Sequence, residues 1–244
     1  MAAILKPLMS PVITPVVSII IPTLNESDII IAKLQSLQYL RPECELILVD
    51  GGSRDGSVDL AREWVDQLIV SPAGRAKQMN AGAAVASAEL LFFLHLDTAI
   101  PRDLLALLPT QDDGCDYWGR FDVAIDGQHW MLPVIAFFMN IRSRVTGIAT
   151  GDQGIFMSRS LFTKVGGFPN QPLMEDIEIS RRLLQEKRPY CIKQKVKTSG
   201  RRWEEKGAFR TIWLMWSLRW AYWCGEAPDK LAERYGYRVE NQSK

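Results

Sequence analysis

The chain has 244 residues, enough for one large domain or two small ones, and its 47% hydrophobic and 23% charged residues match an ordinary globular protein. A net charge of +1 argues against a chain built mainly to hold nucleic acid. No charge-free apolar stretch of about 20 residues occurs, so no membrane-spanning helix is expected.

"MAAILKPLMSPVITP" (1–15) reads as a loose leader broken by three prolines, without the basic start and long apolar run of a signal peptide. "VVSIIIP" (16–22) is a continuous β-branched run, as in a strand covered on both faces. The polar loop "TLNES" leads into an expected helix over 28–40, with Ile30, Leu34 and Leu37 on one face. "CELILVD" (44–50) is a second buried strand, followed by the turn "GGSRDGS", a helix running to Trp64 and a short strand at 67–71. "GRAKQMNAGAAVASA" (74–88) predicts a helix whose small side chains permit close approach to a sheet or ligand. "ELLFFLHLD" (89–97) reads as a fourth strand. Strands and helices alternating at this length imply right-handed crossovers and a mostly parallel sheet.

The second half is less regular. "YWGRFDVAI" (117–125) alternates like a half-exposed strand, and 130–145 is an apolar helix or a lid over the sheet. A strand is expected at 152–159, then a short helix stopped by Gly166 and Gly167. The helix over 174–188 carries its acids first and its bases last, matching its dipole. A strand from Tyr190 and two C-terminal helices complete the chain. With no repeat or linker, the simplest division is one compact domain over 16–205 with a helical extension, 206–244, packed on it.

Cys44, Cys115, Cys191 and Cys224 lie far apart with no zinc spacing, which fits reduced thiols in a cytoplasmic protein. From Arg181 to Arg219 basic residues outnumber acidic ones, as an anionic partner or a solvated face would each require.

In an open α/β sheet, ligands bind beyond the carboxyl ends of the strands. Three of the first four strand ends carry polar residues: Thr23, Asn25 and Glu26; Asp50; and Asp97. No glycine-rich dinucleotide turn follows the first strand, and no Walker A loop is present. Each acid has a local alternative, a turn for Asp50 and a helix dipole for Glu26 and Asp28. Glu175-Asp176 opens a helix, where a carboxylate caps the helix or takes a proton from an attacking hydroxyl.

"SIIIPTLNES", "LILVDGGSRDGS", "GRAKQMNAG", "FLHLDT" and "MEDIEISRRL" occur in the order found in family 2 glycosyltransferases, which the chain resembles over roughly residues 17–205. The resemblance is closest to small bacterial members with GRAKQMN and RRW signatures. It implies a GT-A fold, a nucleotide-sugar donor with UDP as the expected base carrier, a divalent cation, Mn²⁺ or Mg²⁺, and inversion at the anomeric carbon. Carried onto this sequence, it implies that Pro22, Thr23, Asn25 and Glu26 line the nucleoside pocket, with Asp50 on the base and Arg75 near the nucleotide. Asp97 is the last acid of the DxD element and holds the metal. Asp176 is the general base, with Glu175 orienting the site. Arg202 approaches the diphosphate and Trp203 the acceptor. The DxD element reads His95-Leu96-Asp97, without its first acid, and His95 is either a packed histidine or a group behind the metal. A binding module without turnover and a nucleotidyltransferase are the competing readings.

On a helix, Trp213, Trp216, Trp220 and Trp223 fall near one stripe, close to Arg210 and Arg219. A bilayer interface, suited to a lipid-linked acceptor at the inner face of the membrane, is one reading, and a buried helix or a homodimer contact is the other.

Overall fold

The computed structural model describes residues 15–109 and 115–237, so nearly all of the expected leader lies outside the described residues. In chain order the elements are β1 (Val17–Thr23), α1 (Ser27–Leu37), β2 (Cys44–Asp50), α2 (Ser57–Ala61), β3 (Gln67–Val70), α3 (Arg75–Val85), β4 (Leu90–Phe93), β5 (Thr98–Ala99), α4 (Leu104–Leu107), β6 (Trp118–Asp126), α5 (Leu132–Thr146), β7 (Ile155–Ser158), α6 (Arg159–Lys164), α7 (Glu175–Glu186), β8 (Tyr190–Ser199), α8 (Arg201–Lys206), α9 (Ala208–Trp223) and α10 (Pro228–Tyr235).

The eight strands form one sheet in the order β3-β2-β1-β4-β7-β6-β8-β5. The first four are parallel, as their crossover helices require, but β7 runs antiparallel to both β4 and β6, and β5 antiparallel to β8. β6 and β8 pair parallel, so the sheet is mixed with parallel pairings in the majority, as the sequence led one to expect. The reversal at β7 is invisible in apolar runs alone.

Both faces of the sheet are covered. Ile19 and Ile21 of β1 pack with Ile30, Leu34 and Leu37 of α1 on one side. Ile20, Ile47 and Val49 pack with Ala76, Met79 and Ala83 of α3 on the other. This explains the unbroken β-branched run of β1, in which every position is interior. Gly82 lets α3 lie close on the sheet, because a Cβ there would overlap Ile20.

Three expectations need correction. The fourth strand ends at Phe93, so Asp97 lies in the turn before β5 rather than at a strand end. Asp152 belongs to a 3-10 turn, Gly151–Gln153, and β7 begins only at Ile155. Three helices, not two, follow β8, because Gly207 with φ 80° separates α8 from α9. α9 and α10 are fastened by Leu218, Leu231 and Ala232 to Leu173 and Met174, the residues leading into α7. No helix among the described residues is long and apolar enough to cross a membrane.

Candidate active site

β1 and β2 end side by side, with Thr23 opposite Asp50 in register. The turn after β2 wraps back on one oxygen of Asp50, whose Oδ2 accepts the backbone N–H of Gly52 at 2.8 Å and of Ser53 at 2.9 Å. The other oxygen, Oδ1, is buried without a hydrogen-bond partner, and so is the Thr23 hydroxyl. Two unsatisfied buried polar atoms at adjacent strand ends are costly and mark a place where a polar ligand completes the set.

Asn25 does not project freely into that pocket. Its side-chain oxygen accepts the backbone N–H of Arg54 at 2.9 Å, and its own N–H donates to the Ser53 hydroxyl at 2.8 Å. Glu26 and Ser27 donate backbone N–H groups to Ser57 and Asp55, both at 2.9 Å. The loop after β1 is thus laced to the loop after β2. The backbone of Asn25 has φ 53°, a conformation that asparagine tolerates better than most residues. Pro22 pairs opposite Val49 within the sheet and sets the entry to this loop.

Glu26 precedes α1, and Asp97 faces it from the turn before β5. Burial, and then the charge of Asp97, push the Glu26 carboxyl above its ordinary value, while Arg201 and Arg75 oppose the shift. Lys33 reaches the same region from α1. Its ammonium donates to the carbonyl of Thr98, and burial lowers it to about 8 against the pull of Asp97. Two carboxylates that repel each other, all oxygen donors, fit a hard divalent cation completed by phosphate oxygens. The described residues contain no cluster of three or more His, Cys, Asp or Glu side chains able to cage a metal unaided.

The second carboxylate group is built by α7. Met174, at φ 65°, makes the left-handed turn that starts the helix. Asn25 and Met174 are the only non-glycine residues with positive φ among the described residues, and both border this cleft. Glu175 is buried, and Asp176 is half-buried with Oδ2 accepting the Gly151 N–H at 3.0 Å and Oδ1 accepting the Ile177 N–H at 2.7 Å. Burial, and then the charge of Asp176, raise Glu175 well above the ordinary carboxylate range, with Arg75 opposing.

The antiparallel joint between β4 and β7 brings the two groups together. Phe93 pairs opposite Ile155, so the residues leaving β4 meet those entering β7. His95 consequently faces Asp152, with Nδ1 3.7 Å from Oδ1. It also lies flat on Gly151, where any Cβ would overlap the imidazole ring. Burial works against the Asp152 charge, yet the His95 hydrogen bond and the charges of His95, Arg75 and Arg219 outweigh it and hold the carboxyl below its ordinary value. His95, Gly151, Glu175 and Asp176 line one small cavity with Met79, Phe93, Ile155 and Phe168. His95 is therefore a packed histidine beside the carboxylates, paired with Asp152 at ion-pair distance.

Arg75 opens α3 and is reachable by solvent while walled in by protein, as befits the floor of an open cleft. Burial disfavours its charge, but Tyr237, Glu175, Tyr235 and Asp152 more than compensate and hold it protonated. Since Arg75 also acts on Glu26, it links the two carboxylate groups. The two ends of the RRW signature part company. The Arg202 guanidinium lies 3.6 Å over the ring of Tyr235, and Trp203 packs against the main core. Arg201 is the member whose charge reaches Glu26. Lys33, Arg142, Asp152 and Arg219 were not singled out as site residues from the sequence. Each sits in a helix or turn whose pattern carries no motif, and only the fold brings them to the cleft.

Three comparisons bear on this arrangement. The family model described as Glycosyl transferase family 2 matches residues 18–165. A PGL/p-HBAD biosynthesis glycosyltransferase of Mycobacterium bovis is 38% identical over 96 residues, which is 35% of this chain and only 37% of that protein. Among solved structures, the mannosyltransferase PcManGT from Pyrobaculum calidifontis, in complex with GDP-Man and Mn²⁺, superposes with a TM-score of 0.57 at 22% identity, covering 77% of this chain and 57% of that one. Glucosyl-3-phosphoglycerate synthase from Mycobacterium tuberculosis, in complex with Mg²⁺ and UDP, superposes with a TM-score of 0.55 at 17% identity, covering 75% of this chain and 70% of that one.

Proposed function

The chain belongs to glycosyl transferase family 2 and has the GT-A fold, and from that premise we propose that it transfers a sugar, with inversion, from a nucleotide-diphosphate donor to an acceptor hydroxyl. What supports the reading is Arg75, whose charge acts both on Glu26, beside Asp97, and on Glu175, beside Asp176, with the unpartnered oxygens of Thr23 and Asp50 at the strand ends just ahead of Glu26.

In this reading the base of the donor, taken as a UDP-sugar, hydrogen-bonds the free oxygens of Asp50 and Thr23. Glu26 and Asp97 hold a divalent cation, Mn²⁺ or Mg²⁺. The cation, when bound, offsets the charge that builds on the departing diphosphate. Arg75 and Arg201 add fixed positive charge on the same side. Asp176 takes the acceptor proton as the hydroxyl oxygen attacks the anomeric carbon, and the bond to the diphosphate oxygen breaks on the opposite face. Two backbone N–H groups fix the Asp176 carboxylate for that task. Glu175, with its raised affinity for a proton, carries less negative charge beside it than an ordinary carboxylate would.

The acceptor is read as lipid-linked and presented at the cytoplasmic surface of a bilayer. The four tryptophans of α9 are not core residues, since Trp213, Trp216, Trp220 and Trp223 are each at least 68% exposed. Phe209 extends the row, and Val134, Phe137, Phe138, Ile141 and Val145 make a second exposed row on α5. Exposed Lys206 and Arg210 flank the α9 row, as anionic headgroups favour. The same face would close a homodimer, and the oligomeric state with and without vesicles separates the two.

The deciding experiment screens nucleotide sugars for release of nucleoside diphosphate with Mn²⁺ or Mg²⁺. Turnover should vanish in Asp176→Asn while donor binding persists. Tight nucleotide binding with no turnover across donors and acceptors would leave a binding module, and pyrophosphate release would indicate nucleotidyl transfer.

A further inference from the structure

Three arginines of β6 and α5 differ in how their charge is met. Arg120 of β6 and Arg144 of α5 both pair with Asp122, Arg144 at 2.7 Å. Arg142, also on α5, has no such partner, and its Nε and Nη2 are buried without a hydrogen bond among the described residues. Arg219 of α9 faces it across the junction where Ile212 of α9 packs with the core that holds Leu132 and Ile135 of α5. At 100° per residue, Arg142 and Arg219 occupy the flanks of their helices, between the exposed apolar row and the packed side. Burial, and then repulsion by Arg219, bring the Arg142 guanidinium down to about 10, and burial lowers Arg219 as well. Asp176 and Asp152 pull both the other way without cancelling the loss. Both guanidinium groups are partly exposed, so a soluble ion can reach them, and a pair of neighbouring cations, one with two unused donors, is built to receive an anion.

The charge map shows which anion. Arg201 acts on Glu26, on the nucleotide side of the cleft, and Arg75 acts on Glu26 as well as on Glu175 and Asp152, between the two sides. Arg142 and Arg219 share Asp176 and Asp152 as neighbours, on the side of the proton acceptor. We propose that Arg142 and Arg219 form a subsite for a phosphate or carboxylate group carried by the acceptor, placed beside the hydroxyl that Asp176 deprotonates. The assignment rests on the reading of Asp176 as the base, and it adds that the acceptor is an anion. The pair orients that acceptor and takes no part in bond breaking.

The test uses the full chain saturated with UDP and Mg²⁺, so that the donor site is closed to competing anions. Inorganic phosphate should raise the Tm of the wild type by a few degrees, and phosphate should protect Arg142 and Arg219 from phenylglyoxal, read by mass spectrometry. In Arg142→Gln and Arg219→Gln the phosphate-dependent shift should fall at least threefold, while the Kd for UDP changes less than twofold. A second arm compares flotation on phosphatidylcholine vesicles with and without phosphatidic acid. Extra binding to the acidic vesicles, lost in both variants, assigns the anion to a lipid headgroup, and an effect confined to free phosphate assigns it to a soluble phosphorylated acceptor. The proposal is overturned if the UDP-saturated wild type responds to phosphate in neither arm, if the response survives in the variants, or if the variants lose UDP tenfold, which would place the arginines on the donor diphosphate. The phenylglyoxal measurement needs no variant and decides the matter if a glutamine chain fails to fold. Binding of UDP itself, and its dependence on Asp50, tests the donor reading separately.

Discussion

Asp50→Asn isolates the atom to which the proposed base recognition is assigned. In the folded chain Oδ2 is committed to Gly52 and Ser53, and only the buried, unpartnered Oδ1 is free to act. The amide oxygen of asparagine can still accept the two backbone N–H groups, so the turn should persist with stability changed by less than about 1 kcal/mol. The amide nitrogen then occupies the Oδ1 position and presents a donor in place of an acceptor. Uracil, thymine and guanine offer a ring N–H that Oδ1 can accept, whereas cytosine and adenine offer a bare ring nitrogen at the corresponding edge. Losing a hydrogen bond to a charged group costs about 1.5–3 kcal/mol, or about 10- to 150-fold in Kd. Isothermal titration with UDP and CDP measures both effects. The wild type should prefer UDP, and the variant should lose that preference mainly by weaker UDP binding. Equal UDP affinity in the two chains, or a wild type that binds CDP as well as UDP, would refute the role of Oδ1.

Glu175→Gln tests the raised carboxyl. Its value moves from 4.5 to about 7, so between those pH values the folded chain keeps a proton that the unfolded chain has lost. Wild-type stability should therefore fall as pH rises through that window, and the variant should be spared, gaining on the order of 3 kcal/mol at pH 8 relative to pH 4. Urea unfolding at the two pH values checks the sign. Gly151→Ala forces His95 off the 3-10 turn, with an expected loss of about 1–3 kcal/mol in thermal unfolding and a fall in transfer that exceeds any change in UDP binding. Replacing Trp216 and Trp220 together by Ser should reduce vesicle flotation by about tenfold without lowering Tm, because both side chains are exposed. An unchanged flotation with loss of a dimer in sedimentation would move that face from bilayer to subunit contact.

The parallel half was readable because β1, β2 and β4 are interior on both faces, and short continuous apolar runs such as "SIII" and "LILV", bounded by turn residues, suit a buried strand better than a helix. In the mixed half the strands were placed but not their directions, and the start of β7 was set three residues early because a four-residue strand has no periodicity to separate it from the turn before it. The acids were found through strand ends and helix starts, where sequence order predicts position. Asn25 shows the limit of that logic, since a side chain marked for ligand instead holds two loops together. Arg142 carried no signal, and Arg219 was marked only as part of a basic segment beside the tryptophan stripe. An arginine at a helix flank looks solvated until the neighbouring helix is known, and here that neighbour lies 77 residues further along the chain.

The antiparallel seam between β4 and β7 divides labour as well as direction. Strands β1 and β2 before it hold the orphan oxygens assigned to the leaving nucleotide, while α5, the 3-10 turn ahead of β7, α7 and α9 supply the groups assigned to the incoming nucleophile. Such a molecule can change one client without disturbing the other: drift in the later helices would retarget what gets glycosylated while the earlier strands go on drawing on the same activated sugar.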